Sequence, residues 1–401
     1  MSWESKPLEQ LGVITSSKRI YKKEYVKSGV PFFRTKEIKE LANGKEIATE
    51  LFISRERYLE ILDKFGVPKK GDILLTAIGT IGEVYVVNNA NPFYFKDGNV
   101  LWLKEFKDLS PYYLRYALLS FVGELNALSN GAAYNALPIN KLKQHNILVP
   151  PEYIQNKIVT FLDNVFADID QARLNTEKNL RNAREVFDSY LQQVFSECSE
   201  RWKQTTLNDL CNKFEYGTSS KSSQEGEVPV IRMGNIQDGS IVMDKLVYSL
   251  NEDDNQKYRL NFNDILFNRT NSAELVGKTA IYKSEEQAIF AGYLIRIHRN
   301  EKLLNADYLN FYLNSPIARR YGEQVMSQST NQANISGSKL KMYPINVPAS
   351  LEEQQVIVEK ISILKERTEE LEATYKSKLK ALDELKKSLL QQAFTGQLTQ
   401  G

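Results

Sequence analysis

Apolar or small residues recur at Ile158, Leu162, Val165, Ile169, Ala172, Thr176, Leu180, Ala183, Phe187, Tyr190 and Val194, with mostly polar residues between them. The steps alternate between four and three, apart from one doubled four at the centre. This near-heptad spacing predicts a long helix packed along one face against a partner. The partner pattern lies in the same chain. Ile357, Ile361, Leu364, Thr368, Leu371, Tyr375, Leu379, Leu382, Lys386, Leu389 and Ala393 repeat the same order of steps. Each helix is about 40 residues long and would span roughly 60 Å. Lys386 interrupts the second seam and is expected to carry its charged end to solvent.

The two helical stretches are copies at a fixed offset. Phe195 and Phe394 are 199 residues apart, as are Gln155 and Gln354. Ser-Tyr-Leu-Gln-Gln-Val-Phe at 189–195 returns as Ser-Leu-Leu-Gln-Gln-Ala-Phe at 388–394, and Trp3 and Leu8 map onto Trp202 and Leu207. The chain is therefore two copies of one unit, a globule followed by a helix. The boundaries fall at 1–151 and 201–349 for the globules and 152–200 and 350–401 for the helices.

Strand and turn words recur inside the globules. Val30-Pro31-Phe32-Phe33-Arg34 answers Val228-Pro229-Val230-Ile231-Arg232, and Gly71-Asp72-Ile73-Leu74 answers Asn263-Asp264-Ile265-Leu266. Gly79 and Gly82 turn the chain into Val84–Val87, where positive φ suits glycine. Ser110-Pro111 and Asn305 read as helix starts, and Ser350 with Glu353 as a capping box. Only residues 196–201 separate the first helix from the second globule. That globule must lie at the helix's far end, and the second helix must run back. The expected fold is α+β: two similar α/β globules joined by two long antiparallel helices, in a pseudo-twofold, circular arrangement.

Composition is that of a soluble globular chain, with 42% apolar and 25% charged residues. No signal peptide or membrane-length apolar run is evident. The two cysteines, Cys198 and Cys211, sit in no metal-type spacing, which points to a reducing cytoplasm and to no metal site. The net charge of +2 is uneven. Residues 1–150 carry 21 Lys+Arg against 16 Asp+Glu, whereas 151–200 carry 5 against 9. Mildly basic globules fit a polyanion binder, although ordinary charge scatter gives the same sign.

Catalytic chemistry finds little support. His145 and His298 stand in different globules, far from any Ser or Cys pattern, and no phosphate-binding glycine loop or strand–GxGxxG–helix unit occurs. Asn91-Pro92-Phe93-Tyr94-Phe95 is similar to the Asn-Pro-Pro-Tyr/Phe loop of adenine methyltransferases, but the second proline is missing. No glycine-rich cofactor unit accompanies it, so it reads as an aromatic strand.

Base-reading chemistry is richer. Arg suits guanine, and Asn or Gln suits adenine. Loop clusters of these types occur at Arg232–Asn235, at Asn268, Arg269, Thr270 and Asn271, and at 327–332 with Thr330, Asn331 and Gln332. The first globule offers Arg34, Thr35 and Lys36, and Asn130 to Asn135 with Tyr134. Asn, Ser and Thr are also ordinary loop formers, but clusters recur at matching places in both copies.

These words resemble the specificity subunit of type I restriction–modification systems. The carriers are the two Val-Pro-…-Arg strands, Gly-Asp-Ile-Leu-Leu-Thr with Gly79 and Gly82, Val-Pro followed by Gln and the long helix, and Leu-Leu-Gln-Gln-Ala-Phe-Thr-Gly-Gln-Leu at the end. They cover the whole chain, twice. The second copy departs from the glycine pair, with Asn-Ser-Ala-Glu-Leu-Val-Gly at that turn.

The resemblance implies two target recognition domains, each reading half of a bipartite double-stranded DNA site, and a helical spacer that sets the gap. It implies partners: two modification (methyltransferase) subunits using S-adenosylmethionine, and possibly two motor-nuclease subunits using ATP and Mg. This chain would be non-catalytic, without a cofactor of its own, and cytoplasmic in a prokaryote. Phosphate contacts are expected from Lys22, Lys23 and Lys278. Base or backbone contacts are expected from Arg34, Thr35, Lys36, Thr76, Tyr134, Asn135, Arg232, Asn235, Asn268, Arg269, Asn271, Thr330, Asn331 and Gln332. The spacer is expected to rest on Leu162, Val165, Ile169, Phe187, Ile361, Leu364, Leu371, Leu382 and Phe394. Two rivals stand beside this: a coiled-coil scaffold that binds proteins only, and an enzyme built on the Asn91–Phe95 stretch.

Overall fold

The computed structural model describes residues 3–121, 136–196, 202–330 and 332–395. The two long helices are Glu152–Ser196 and Leu351–Phe394. Among the described residues, no helix is long and apolar enough to cross a membrane. The chain forms two compact units, Met1–Thr176 with Ser377–Gly401, and Glu177–Lys376. Each unit therefore holds one globule and a piece of each long helix.

In the first unit, Glu4–Pro7 pairs antiparallel with Asn146–Val149 and clasps the globule at its base. A four-stranded antiparallel sheet follows in the order Val13–Ser16, Val100–Lys104, Ile73–Thr76, Val84–Val86. A second sheet runs Tyr25–Val26, Phe52–Ile53, Val30–Phe33, Tyr94–Phe95, its last pair parallel. The aromatic half of the Asn91–Phe95 stretch is thus core, while Asn91 and Pro92 are exposed. Tyr94 and Phe95 are fully buried and Phe93 stacks on Phe33 at 4.8 Å.

The second unit repeats the plan. Trp202–Thr206 pairs with Pro344–Pro348 as the clasp. The main sheet runs Cys211–Tyr216, Leu294–Arg299, Ile265–Asn268, Thr279–Ile281, and is extended by Ser240–Ile241 and Ile236–Gln237. Val247–Ser249, Val228–Ile231 and Ile289–Phe290 form the companion sheet, again with a parallel last pair. A further three-stranded sheet, Thr270–Asn271, Ala333–Asn334, Ser327–Gln328, carries the polar loops.

Duplicated side chains explain the duplicated words. Gln155 is fully buried at the start of the first long helix. Its Oε1 accepts from the Ser110 amide at 2.8 Å, and its Nε2 donates to Asp108 O and Pro150 O, both at 2.9 Å. Gln354 is equally buried: it accepts from the Asn305 amide at 2.8 Å and donates to Leu303 O and Pro348 O. Each glutamine satisfies three backbone groups at the base of its globule, the prolyl carbonyl through a fully buried bond. Tyr113 and Tyr308 donate to Leu148 O and Asn346 O, both at 2.8 Å. Against them rest the closing phenylalanines of the long helices, Phe394 at 5.1 Å from Tyr113 and Phe195 at 5.2 Å from Tyr308.

Helix starts differ in detail from expectation. Asn305 caps its helix through Oδ1 to the Tyr308 amide. Ser110 stands at the cap position without a side-chain capping bond. The Ser350 hydroxyl accepts from the Glu353 amide, while the Glu353 carboxylate takes the Trp202 indole N–H at 3.0 Å.

In the first unit the helix segments run antiparallel. Lys386 Nζ meets Asp170 Oδ1 at 3.0 Å and lies 4.8 Å over the Phe166 ring, and Arg173 pairs with Asp383. Lys386 thus ends on a carboxylate at the surface. Leu162, Ile169 and Ile361 are buried, and Val165, Phe187, Leu364, Leu382 and Phe394 partly buried, as a packed face requires. Leu371 is a correction: it is 46% exposed. The seam passes from buried Thr368 to Glu372, which pairs with Arg184 in the second unit. A 3.6-residue helix drifts against a 3.5-residue pattern, and here the doubled four-residue step falls at Leu364, Thr368 and Glu372, about two turns before Leu371, Tyr375 and Leu379.

Candidate nucleic-acid interface

Arg34 and Arg232 occupy equivalent positions just after the Val-Pro strands, and the backbone turns the same way at both. The Arg34 amide donates to Glu37 Oε2 at 2.8 Å, and the Arg232 amide to Asn235 Oδ1 at 2.9 Å. Glu37 is buried under the turn, held by the Arg34 guanidinium at 2.7 Å. Burial alone would raise its carboxyl; the side-chain and backbone bonds around Arg34 outweigh that and keep it below the ordinary carboxylate range.

Asn235 fills the same role in the second unit. It is buried, and its Nδ2 donates to Val242 O and Asp244 O. It is therefore a turn-former rather than a base reader. Two further expectations are corrected on the same ground. Thr76 is fully buried, with its hydroxyl bonded to Thr80 O and accepting from the Glu83 amide, so it props the Gly79–Gly82 turn. Both glycines there have positive φ, 80° and 97°. Asn268 is fully buried and donates to Leu275 O.

The other polar candidates stay near the surface. Lys22, Lys23 and Lys36 are exposed. The turn carrying Lys22 and Lys23 leads into Tyr25–Val26, in the same sheet as the strand that ends before Arg34. Thr35 Oγ1 is shielded without a hydrogen-bond partner among the described residues. Tyr134, Asn135 and Asn331, and the rest of the Asn130–Asn135 stretch, lie outside the described residues.

In the second unit, two clusters far apart in sequence come together. Thr270 pairs with Asn334 and Asn271 with Ala333, and Ala333 with Gln328 on the other side. Thr330 and Gln332 are exposed at the turn of that hairpin, and Asn271 and Lys278 are half-buried beside it. Asn334 Nδ2 donates to Thr270 Oγ1 at 2.7 Å, and Lys339 Nζ reaches Ser327 Oγ at 2.8 Å. Arg232 donates to Lys245 O at 2.8 Å in a surface hollow that Tyr293 also lines. The Arg269 amide donates to Tyr293 O at 3.1 Å, so Tyr293 joins the Arg232 hollow to the small sheet.

Sequence pattern alone does not single out Tyr216, Tyr293 or Asn334. A signal existed for the tyrosines, since each adjoins a glycine. A Cβ on Gly217 would come within 2.1 Å of Phe290 O, and one on Gly292 within 3.0 Å of Thr218 O. Two segments packed backbone on backbone set Tyr216 at the end of its strand and Tyr293 in the turn just before Leu294–Arg299.

His145 stacks on Phe121, and His298 bonds Glu215 in a cluster with Arg296, Lys213 and Asp264. Burial would raise the Glu215 carboxyl, but the bonds from Lys213, Arg296 and His298 outweigh it and hold it at about 2. The Cys211 thiol is pushed up to about 12 by burial, which removes its nucleophilic form at neutral pH.

Two copies of one mixed domain, on matching glutamine and tyrosine anchors and with unlike polar loops, define a paired recognition protein. The family described as type I restriction modification DNA specificity domain matches residues 1–178 and again 199–381. The chain belongs to this family.

It is 27% identical over 212 residues to a protein named for the type I restriction enzyme MjaX specificity subunit of Methanocaldococcus jannaschii, covering 52% of this chain and 49% of that one. It is 24% identical over 296 residues to the EcoKI specificity subunit of Escherichia coli, with 69% and 62% covered. It is 25% identical over 321 residues to the StySPI specificity subunit of Salmonella potsdam, with 74% and 67% covered. The matches thus span about half to two thirds of these relatives' lengths. Among solved structures, a chain from work on complex assembly and conformational transition of the type I R-M system aligns over 99% of this chain and 98% of its own, with TM-score 0.77 at 16% identity. The HsdS subunit from Thermoanaerobacter tengcongensis aligns over 99% and 97% with TM-score 0.56, also at 16% identity. These two likenesses establish the fold.

Proposed function

We propose that this chain is the DNA-reading subunit of a type I modification assembly, each globule reading one half of an asymmetric, bipartite duplex site. The observation that carries it is a duplicated frame bearing loops that are not duplicated. Gln155 and Gln354, Tyr113 and Tyr308, and Phe394 and Phe195 repeat contact for contact. The exposed Thr330 and Gln332, with the half-buried Arg269 and Asn271, lie in or beside the second copy's small sheet; at the corresponding place the first copy has Ile78, bridged to Ala136, and a different sequence. Two similar frames with different reading surfaces suit two different half-sites.

Phosphate contacts from Lys22, Lys23 and Lys278 would position each domain, and Arg34, Lys36, Arg232, Arg269, Asn271, Thr330 and Gln332 would supply base or backbone contacts. The long helices would hold the half-sites at a fixed gap and dock two modification subunits. In this reading the chain itself is non-catalytic. S-adenosylmethionine belongs to the modification partners, and ATP with Mg to a motor-nuclease. The test is co-expression with the modification partner, followed by single-molecule sequencing for N6-methyladenine. A split motif with two fixed halves and a constant gap is expected. A stable complex with no methylated motif would favour the protein-binding scaffold instead. Binding of S-adenosylmethionine by the isolated chain would contradict the non-catalytic role.

A further inference from the structure

Arg269 differs from most of the well-anchored arginines of this chain. Arg34, Arg57, Arg184 and Arg296 each meet a carboxylate at hydrogen-bond distance. Among the described residues no such pairing involves Arg269, and its Nε has no hydrogen-bond partner. Its backbone is nevertheless fixed on both sides. Its amide donates to Tyr293 O, and its carbonyl accepts from the Ile335 amide at 2.9 Å.

The guanidinium lies 4.9 Å over the ring of Tyr216. That ring is held in turn, because the Tyr216 hydroxyl accepts from the Gly337 amide at 2.9 Å. Gly337 leaves little room to spare, since a Cβ there would stand 3.0 Å from the hydroxyl. Tyr216 is 42% exposed, so the stack sits at the surface, next to the strand pair that carries Thr270, Asn271 and Asn334.

Stacking satisfies the face of a guanidinium and leaves its donors in the plane. A planar pair of donors held in one orientation matches the O6 and N7 acceptors of guanine in the major groove. Little side-chain freedom is then lost on binding, and no internal carboxylate competes for the donors. We infer that Arg269, stacked on Tyr216, is the residue with which the second unit reads a guanine, an inference that rests on the DNA-reading function proposed above.

The test uses the chain assembled with its modification partner on duplexes carrying the methylated motif. Each guanine of the motif is replaced in turn by 7-deazaguanine, which lacks the N7 acceptor. With the wild-type chain, one position in one half-site is expected to weaken binding by about tenfold or more. At that position the analogue should cost the Arg269→Ala assembly nothing further, since alanine offers the N7 acceptor no donor. The Arg269→Lys methylome should relax at the same base and leave the other half-site intact. Tyr216→Leu should relax it in part.

Equal weakening of Arg269→Lys on all sequences would make Arg269 a phosphate contact and overturn the inference. So would a wild-type assembly indifferent to every 7-deazaguanine, which needs no variant to fold. A wild-type assembly that methylates no split motif would sink the DNA-reading function as well, and so separates the two failures.

Discussion

Two buried glutamines carry more of the architecture than their polarity suggests. Replacing Gln155 or Gln354 with leucine keeps the volume but orphans one amide and two carbonyls. A buried group left unpaired costs about 1–3 kcal/mol, so each variant should lose about that much in denaturant titration. A loss under about 1 kcal/mol would mean that water reaches these groups. Asn235→Ala should destabilise the second unit by about 2 kcal/mol, because the Arg232 amide and two carbonyls lose their partner. It should depress methylation evenly, whereas Gln332→Ala should relax a single base. The methylomes of the two variants decide the matter. In sequence, Asn235, Asn268 and Asn271 are equivalent loop asparagines. Burial by distant strands separates Asn235 and Asn268, which brace the backbone, from Asn271, which is half-buried and, among the described residues, accepts only from the Ser272 amide next to it at 2.8 Å.

At the scale of elements, the long helices were legible because a 3.5-residue pattern sustained over about 40 residues has few rival explanations. The Leu371 slip shows the limit: leucine spacing marks a face, while helix drift decides which residue finally meets the partner. The companion sheet of the first globule was harder to see. It uses two-residue strands such as Tyr25–Val26 and Phe52–Ile53, whose pairing is wholly non-local. The helix Thr35–Ala42 sits between those strands along the chain and Arg55–Lys64 follows the second, in a polar stretch of mixed signals.

The Arg184–Glu372 bond makes the helix pair acid-sensitive. The bond from Arg184, with help from Lys376, holds Glu372 at about 2, below the ordinary glutamate value of about 4.3. A depressed folded value stabilises fully above the unfolded one and is lost as pH falls through the folded one. The melting temperatures of wild type and Glu372→Gln should therefore differ most above pH about 5 and converge toward pH about 2. A gap that stays constant across that range would contradict this.

At the scale of the whole molecule, the unit boundaries cut across the globule–helix repeat. The second unit is one continuous stretch, Glu177–Lys376, whereas the first joins Met1–Thr176 to the chain's last segment. In the first unit, Ile158, Leu162, Phe166 and Ile169 share one core with Leu390 and Ala393. A fragment of residues 177–376 is expected to melt cooperatively on its own. A fragment of 1–176 should aggregate or melt early unless residues 377–401 are supplied, as size-exclusion chromatography and circular dichroism would report. Equal behaviour of 1–176 with and without that segment would refute the shared core.

The order of synthesis follows from the same topology. As the chain leaves the ribosome, the globule made first waits for helix turns that follow it only after the whole of Glu177–Lys376, while the second globule has its own helix pieces in hand almost at once. Folding is thus expected to finish in the reverse of the order in which it begins. The first globule, with its helix face still uncovered, is the part most in need of chaperone protection during translation.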